Sequence, residues 1–371
     1  MSQNDPSGRP HYTSVIGSLP QSVPFVAPEA LERSLAGVLC LRLGANESAF
    51  GISPMAVAAM RDAAAQTNWY GDPESHDLRL ALSKSLGIGL DNIVVGNGID
   101  GLLGYVVRSI VESGVAVVTS SGTYPTFNYH VVASGGIVHP VPYRDDRPDL
   151  DALLEAVIRT GARLVYLANP DNPSGSCHQA SDVARLVSDL PSDCTLVLDE
   201  AYFEFATSDA VLPMDISRGN VIRVRTFSKA HGMAGARVGY AIAHADFIST
   251  LGKFRNQFEV ARVSQAGALA SLADAEFVDG VIRAVEAGRR DYEQLSQEIG
   301  CPFIPSATNF VCFDVGGVDR ARATVAALLE RGVFIRMPGA PPLNRCIRVT
   351  VGTPKERSEF AGILKEVIAR L

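Results

Sequence analysis

Side chains in residues 226–239 could together bind a phosphorylated aldehyde. Lys229 is flanked by the hydroxyls of Thr226 and Ser228, and Arg237 follows shortly after. An amine forms a Schiff base with an aldehyde, while hydroxyls and a guanidinium hold a phosphate. These residue types are what a pyridoxal phosphate site needs. Lys229 is therefore predicted to bond the aldehyde, and Thr226, Ser228 and Arg237 to bind the phosphate.

A carboxylate at the end of a buried strand would supply another part of such a site. Asp199 ends the apolar run 196–199. A buried, unpaired carboxylate is costly, and a protonated pyridine nitrogen is a suitable partner. That pairing keeps the ring cationic, so the ring accepts electron density from the substrate. The alternative is that Asp199 caps a helix, since aspartate is favoured at the N-cap.

The turn at residues 96–101 fits the dinucleotide fingerprint G-x-G-x-x-G. That fingerprint also needs an acidic residue near the end of the second strand, and residues 118–121 contain none. A nicotinamide dehydrogenase is therefore disfavoured. A glycine turn that leads into a helix N-terminus still binds phosphate through its free N–H groups.

Composition indicates a globular protein. The chain has 371 residues, of which 47% are hydrophobic and 20% charged, with a net charge of -7. A mild negative charge without a Lys/Arg run argues against nucleic-acid binding through a broad basic surface. The six cysteines are scattered, without a C-x-x-C pair, as is typical of reduced thiols. The sequence contains no signal-peptide pattern and no apolar run near the roughly 20 residues of a membrane span, so we expect a cytoplasmic protein.

Short apolar runs alternate with helical patterns over residues 45–250, which predicts an α/β fold. The predicted strands are 93–95, 115–119, 164–168, 196–199, 221–225 and 239–243. Continuous apolar strands separated by helices indicate a mostly parallel sheet that is covered on both faces. Ligands of such sheets bind beyond the carboxyl ends of the strands. Asn169, Asp199 and Ser228 all follow or end a predicted strand, so they are expected to meet there.

The pattern changes near residue 253, which predicts a second, smaller α+β domain. A long helical segment is expected at 264–299, followed by strands near 308–314, 333–336 and 346–351 and a helix at 319–331. We predict an N-terminal arm at 1–44, a large domain at 45–252 and a small domain at 253–371.

Three segments, 169–175, 196–202 and 226–240, together resemble the fold type I pyridoxal phosphate enzymes. Within these they resemble the class I/II aminotransferases and their histidinol-phosphate aminotransferase branch. The resemblance covers roughly residues 40–355. It implies a large domain with a mostly parallel sheet, and a small domain that the N-terminal arm joins. It also implies a homodimer that takes an amino donor and a 2-oxo acid, without a metal.

The resemblance assigns further cofactor contacts, namely Gly98, Ile99, Asp100, Tyr124, Asn172 and Tyr202. The glycine turn would hold the phosphate, and Tyr124 would stack on the pyridine ring. Asn172 and Tyr202 would hydrogen-bond the phenolic oxygen from opposite sides. Tyr70 lies where the family has a tyrosine that reaches the cofactor phosphate of the neighbouring subunit. A homodimer with shared active sites is therefore implied.

The resemblance also places four residues at the substrate. Asn46 and Arg348 match the residues that hold the substrate carboxylate. An arginine binds a carboxylate bidentately, through two hydrogen bonds. Arg336 matches the arginine that binds the distal phosphate, although transaminases of other specificity can carry it too. Phe25 stands where histidinol-phosphate enzymes often have a tyrosine that binds the same phosphate. The phosphate-binding half of the site is therefore only partly present.

The sequence as a whole predicts a pyridoxal phosphate-dependent aminotransferase in which Lys229 moves the α-proton as general base and acid. The best single substrate pair is L-histidinol phosphate with 2-oxoglutarate, which would place the enzyme in histidine biosynthesis. An aromatic or other amino-acid aminotransferase is the alternative. A decarboxylase or oxidase on the same scaffold would also keep Lys229, Asp199 and Arg237. A regulatory module is disfavoured, because the arm is too short for a DNA-binding segment.

Overall fold

A computed structural model describes residues 10–20, 26–35 and 39–371. Phe25 lies outside these residues, so its predicted role stays a prediction. The strands are β1 Leu41–Arg42, β2 Ile93–Gly96, β3 Ala116–Ser120, β4 Ile137–Val141, β5 Leu164–Ala168, β6 Thr195–Asp199, β7 Val221–Thr226, β8 Gly239–Ile242, β9 Phe303–Ile304, β10 Phe310–Asp314, β11 Val333–Phe334 and β12 Cys346–Thr350. The α-helices are α1 Ser14–Ser18, α2 Pro28–Leu35, α3 Pro54–Ala64, α4 His76–Leu86, α5 Gly98–Ile110, α6 Pro125–Ala133, α7 Leu150–Thr160, α8 Ala180–Asp189, α9 Ala245–Leu251, α10 Arg262–Ala273, α11 Ala275–Ile299, α12 Val318–Leu329 and α13 Pro354–Ile368.

Within the described residues, seven strands form the main sheet in the order β2-β8-β7-β6-β5-β3-β4. Strand β8 is antiparallel to both of its neighbours, and the other pairs are parallel. The fold class predicted from the sequence is confirmed. Because the parallel strands point the same way, the ends of β5, β6 and β7 lie side by side at one edge of the sheet.

Helices cover both faces of this sheet, as the continuous apolar strands predict. Residues of β5 alternate between two cores: Leu164 and Tyr166 pack with residues of α5, whereas Val165 and Leu167 pack with residues of α7 and α8. Successive side chains of a strand point to opposite faces, so a strand buried on both sides needs apolar residues throughout.

A second group of strands surrounds another core. Strands β12, β10 and β9 form an antiparallel sheet, and β1 pairs in parallel with β11. Leu41 and Leu43 are buried in the same core as Phe310 and Phe360. The last residues of the predicted arm are thus attached to the C-terminal part of the chain. The domain boundaries themselves stay a prediction.

The structure differs from the sequence expectation in one helical segment and in three strands, β1, β4 and β9, of which β1 and β9 have only two residues each. The single helical segment predicted at 264–299 is wrong: α10 ends at Ala273 and α11 begins at Ala275, because Asp274 leaves the helical conformation and its carboxylate accepts from the backbone N of Phe277 at 3.3 Å. An aspartate is a favoured N-cap. Strand β4 was not predicted. It contains Pro140 and lies at the edge of the sheet, where a residue without an N–H is tolerated.

No helix in the described part of the chain is long and apolar enough to cross a membrane.

Candidate active site

A cavity of about 680 Å³ lies at the carboxyl ends of β5, β6 and β7. Its walls contain most of the residues singled out from the sequence: Asn46, Ile99, Asp100, Tyr124, Asn172, Asp199, Tyr202, Thr226, Ser228, Lys229, Arg237, Arg336 and Arg348. These residues come from positions 46 to 348 of the chain, and the fold brings them to one place. Asn169, predicted at the same edge, is buried and hydrogen-bonds with His178.

One end of the cavity is suited to a phosphate. The Thr226 hydroxyl lies 2.8 Å from that of Ser228, and Nη1 of Arg237 lies 3.5 Å from the same Ser228 oxygen. Helix α5 begins beside them at Gly98, whose φ is +70°. A Cβ on Gly98 would come within 2.6 Å of the Arg237 guanidinium, so glycine leaves the space that the guanidinium needs. Hydroxyls, a guanidinium and a helix N-terminus converge here.

Asp199 is a buried carboxylate with room for a cation. Its Oδ2 accepts from the hydroxyl of Tyr166 at 2.6 Å, and its Oδ1 from the backbone N of Ala201 at 2.9 Å. Burial raises the pKa of Asp199 to about 6, and the two donors oppose that effect. Among the described lysine, arginine and histidine side chains, none forms an ion pair with Asp199. A cationic ring nitrogen would supply the missing charge.

Asn46 forms hydrogen bonds with both Lys229 and Tyr202. Nζ of Lys229 donates to the main-chain oxygen of Asn46 at 3.0 Å and lies 5.4 Å from the centre of the Tyr202 ring. The side-chain amide of Asn46 donates to the Tyr202 hydroxyl at 3.0 Å. The φ of Asn46 is +55°, a left-handed conformation that asparagine tolerates better than most residues. Lys229 is thus held at the cavity wall with its amine close to the Tyr202 phenol.

Two arginines lie together at the other end of the cavity. The main chains of Arg336 and Arg348 pair through hydrogen bonds of 3.2 and 2.6 Å. Nη1 of Arg348 donates to Oδ1 of Asn172 at 2.6 Å, and Nη2 of Arg336 donates to the oxygen of Val26 at 3.1 Å. Burial lowers the pKa of Arg336, and the neighbouring Arg348 charge adds to this effect. Two adjacent guanidinium groups favour an anionic ligand group.

Tyr124 lies in the wall of the cavity, whereas Tyr70 does not. The Tyr124 hydroxyl donates to Oδ1 of Asp100 at 2.8 Å, and burial raises the pKa of that phenol, so it stays protonated. Tyr70 lies outside the cavity: it is 76% exposed and stacks on Phe258 with 4.6 Å between ring centres. Its predicted role in a neighbouring subunit therefore stays a prediction. His231, two residues after Lys229, is buried beside Phe227.

The cavity also contains residues that sequence reasoning missed. Tyr166 lies inside β5, where an aromatic residue is ordinary for a strand, so no motif marks it. The segment Met337–Ala340 approaches Gly122 so closely that a Cβ there would lie 2.7 Å from Ala340. A glycine two residues before the predicted stacking tyrosine is a weak signal that could have pointed to this close approach.

These features fit pyridoxal phosphate in three respects. The anion site at Arg237 suits the phosphate. Asp199 is buried without an ion pair to the described residues and suits a cationic ring nitrogen. The amine of Lys229 is directed into the same cavity, where an aldehyde would lie. The three groups differ in charge and reactivity, and each matches one part of this cofactor.

Comparison with known proteins leads to the same class. The sequence model of the family described as aminotransferase class I and II matches residues 39–364. The chain therefore belongs to the class I and II aminotransferases. This family uses pyridoxal phosphate, so the protein is a pyridoxal phosphate-dependent aminotransferase. The family, cofactor and enzyme class predicted from the sequence are confirmed.

Within this family, the chain is similar to histidinol-phosphate aminotransferases. Histidinol-phosphate aminotransferase 2 of Carboxydothermus hydrogenoformans is 34% identical over 351 residues, which cover 93% of this chain and 96% of the relative. Histidinol-phosphate aminotransferase 2 of Nitrosospira multiformis is 36% identical over 324 residues, covering 86% of this chain and 82% of the relative. The crystal structure of histidinol-phosphate aminotransferase from Sinorhizobium meliloti in complex with pyridoxal-5'-phosphate is 48% identical, with a TM-score of 0.95. That comparison covers 98% of this chain and 99% of the other.

Proposed function

We propose that the enzyme transfers an amino group between L-histidinol phosphate and a 2-oxo acid such as 2-oxoglutarate, as a step of histidine biosynthesis. The observation that carries this proposal is the pairing of Arg336 with Arg348 at one end of the cavity. Guanidinium groups bind phosphates and carboxylates through charge-assisted hydrogen bonds. The two arginines therefore suit a donor with a phosphate and an acceptor with carboxylates.

The cofactor would be held by three sets of side chains. Thr226, Ser228 and Arg237 would bind its phosphate, together with the N-terminus of α5. Asp199 would pair with its ring nitrogen. Asn172 and Tyr202 would donate to its phenolic oxygen, and Tyr124 would stack on the ring.

When bound, pyridoxal phosphate supplies an electron sink for the α-carbon of the amino donor. Lys229 would hold the cofactor through its aldehyde group between turnovers. When its Nζ is free, Lys229 would act as the general base that takes the α-proton of the donor and as the general acid that gives a proton back. Asn46 and Tyr202 lie next to this amine and would keep it close to the reacting carbon.

We also propose a homodimer in which Tyr70 of each chain reaches the other active site. Tyr70 and Phe258 form an exposed aromatic pair, and the flanking Trp69 is 66% exposed. Large exposed aromatic side chains of this kind often mark a protein interface. A cytoplasmic location is proposed because all six cysteines are free, four of them buried, as in a reducing compartment.

The substrate proposal is tested by half-reactions of the holoenzyme. Single-turnover conversion of the aldehyde form of the cofactor to the amine form is followed by absorbance, with histidinol phosphate, phenylalanine or glutamate as donor. Loss of one charge-assisted contact costs about 1.5–3 kcal/mol, so Arg336→Ala should reduce efficiency with histidinol phosphate by about ten- to a hundredfold. The change should largely spare phenylalanine. Arg322→Ala, an exposed arginine of α12, is the control and should behave like the wild type.

One outcome would contradict the proposal. If histidinol phosphate gave no half-reaction while phenylalanine or another α-amino acid did, the histidine-pathway assignment would be wrong. The broader aminotransferase assignment would remain.

A further inference from the structure

We propose that Tyr166 is a positioning residue that keeps a proton on the cofactor's ring nitrogen by weakening the basicity of Asp199. The inference rests on the proposed pairing of Asp199 with that nitrogen. The observation that supports it is the 2.6 Å hydrogen bond that the Tyr166 hydroxyl donates to Oδ2 of Asp199, at the wall of the cavity.

The fold fixes this phenol in one place. Tyr166 is only 1% exposed and lies in β5, beside β6, where Ala168 is the register partner of Asp199. Its ring stacks on Phe127 with 4.5 Å between centres and 22° between planes. Two flanking strands and the stacking partner leave the hydroxyl little freedom other than to point at the carboxylate. A donor held in this way loses little entropy when it forms its hydrogen bond.

The chemistry follows from where the proton between two bases resides. Asp199 and a ring nitrogen would share one proton, and the stronger base keeps it. Hydrogen bonds to a carboxylate stabilise its charged form and make it a weaker base. Tyr166 and the Ala201 amide provide two such bonds, one on each oxygen. The proton then stays on the nitrogen, which keeps the ring cationic.

The surrounding charges make this contribution necessary. Burial raises the pKa of Asp199, and the charges of Asp100 and Glu200 raise it further. Tyr166 acts in the opposite direction. Burial also raises the pKa of the Tyr166 phenol well above its ordinary value, so the phenol stays protonated and remains a donor. Without it, Asp199 would compete with the nitrogen for the proton.

The test uses holoenzyme reconstituted with cofactor that is ¹⁵N-labelled at the ring nitrogen. The ¹⁵N chemical shift distinguishes a protonated from an unprotonated ring. Tyr166→Phe should move the resonance toward the unprotonated value and raise the dissociation constant of the cofactor about tenfold, as expected for one lost bond to a charged group. Tyr105→Phe is the matched control, because its hydroxyl also donates to a carboxylate, Oε2 of Glu259, at 2.7 Å. This control should leave the resonance unchanged.

A second measurement distinguishes an effect of Tyr166 on the proton of the ring nitrogen from a purely structural role of this residue. A cofactor analogue with carbon in place of the ring nitrogen has no proton to share. Tyr166→Phe should leave its dissociation constant within about twofold of wild type. Equal losses for both cofactors, or a resonance that stays at the protonated position, would overturn the inference.

Asp199→Asn distinguishes a failure of the role of Tyr166 from a failure of the proposed pairing between Asp199 and the ring nitrogen. If Asp199→Asn shifts the resonance and Tyr166→Phe does not, only the role of Tyr166 fails. If neither change shifts it, the proposed pairing of Asp199 with the ring nitrogen fails as well.

Discussion

Nζ of Lys229 donates to the main-chain oxygen of Asn46 at 3.0 Å, a contact between residues 183 positions apart. Asn46 follows β1, which pairs with β11, whereas Lys229 follows β7 of the main sheet. Thr350, at the end of β12, also accepts from the backbone N of Asn46 at 3.1 Å. The amine is thus positioned by a segment that belongs with the C-terminal strands, so both groups of strands must be folded before the site is complete.

Lys229→Ala should abolish the covalent attachment of the cofactor. Wild-type holoenzyme should be yellow and should lose its colour with borohydride, which fixes the cofactor on the lysine. The variant should bind the cofactor reversibly and lack activity, because its general base is gone. Lys253→Ala, an exposed lysine, is the control. Peptide mapping that found the reduced cofactor on any other lysine would show the assignment to be wrong.

Cofactor affinity should depend on pH through Asp199. Its pKa is raised by burial to about 6, so the carboxyl is protonated below that pH and charged above it. Only the charged form pairs with a cationic nitrogen, so affinity should fall as pH decreases through about 6, by up to about tenfold per unit. The ratio of the dissociation constants of wild type and Asp199→Asn, measured from about pH 8 to about pH 5, isolates this contribution from titration of the cofactor itself. A ratio that does not change with pH would contradict the assignment.

The main sheet could be predicted because burial on both faces makes each strand a continuous apolar run, as in β5. Strand β4 contains His139 and Pro140, and among the described strands it pairs only with β3, so its apolar pattern is weak. The break at Asp274 was missed because helical segments lie directly on both sides of it. Its signal was the aspartate itself, a residue that favours the start of a new helix.

The candidate site was predictable where residue type and neighbouring sequence coincide, as at Lys229 and Asp199. Tyr166 could not be found in this way. Its role comes from the register of β5 against β6, which brings its hydroxyl to Asp199, and from the packing of Phe127 on its ring. Neither relationship can be recognised from the local sequence, because both depend on contacts between segments that are distant along the chain.

Tyr70 should act in the active site of the partner subunit. Tyr70→Phe chains mixed with Lys229→Ala chains would form hybrid dimers, in which one site carries both changes and the other carries neither. Activity should therefore recover to about half of the wild-type value per hybrid dimer, and cofactor retention should recover with it. Mixing Tyr129→Phe with Lys229→Ala chains is the control for an exposed tyrosine elsewhere. A fully active monomer in sedimentation-coupled assays would rule out a shared site.

A buried acid next to the Tyr202 and Lys229 segments should make stability depend on pH. Oε1 of Glu204 lies 4.0 Å from Nε2 of His231, and its Oε2 is buried without a hydrogen-bond partner among the described residues. His231 is neutral near neutral pH, because burial lowers its pKa to about 4. Burial raises the pKa of Glu204 from 4.5 to about 8, and the charge of Arg225 offsets this effect only in part.

Glu204→Gln should remove a pH dependence of unfolding that the wild type has. A carboxyl whose pKa is raised in the folded state stabilises the fold fully below its unfolded pKa of 4.5, and this contribution is lost as pH rises to about 8. The free energy of unfolding of wild type minus that of Glu204→Gln should therefore fall by about 1.4 kcal/mol per pH unit across this window and level off above it. Urea titrations at a fixed protein concentration measure this difference, and the titration of His231 is common to both proteins. Glu298→Gln, which replaces an exposed glutamate paired with Lys365, is the control and should show no such slope. A difference that stays constant over the window would mean that Glu204 is already ionised in the folded protein.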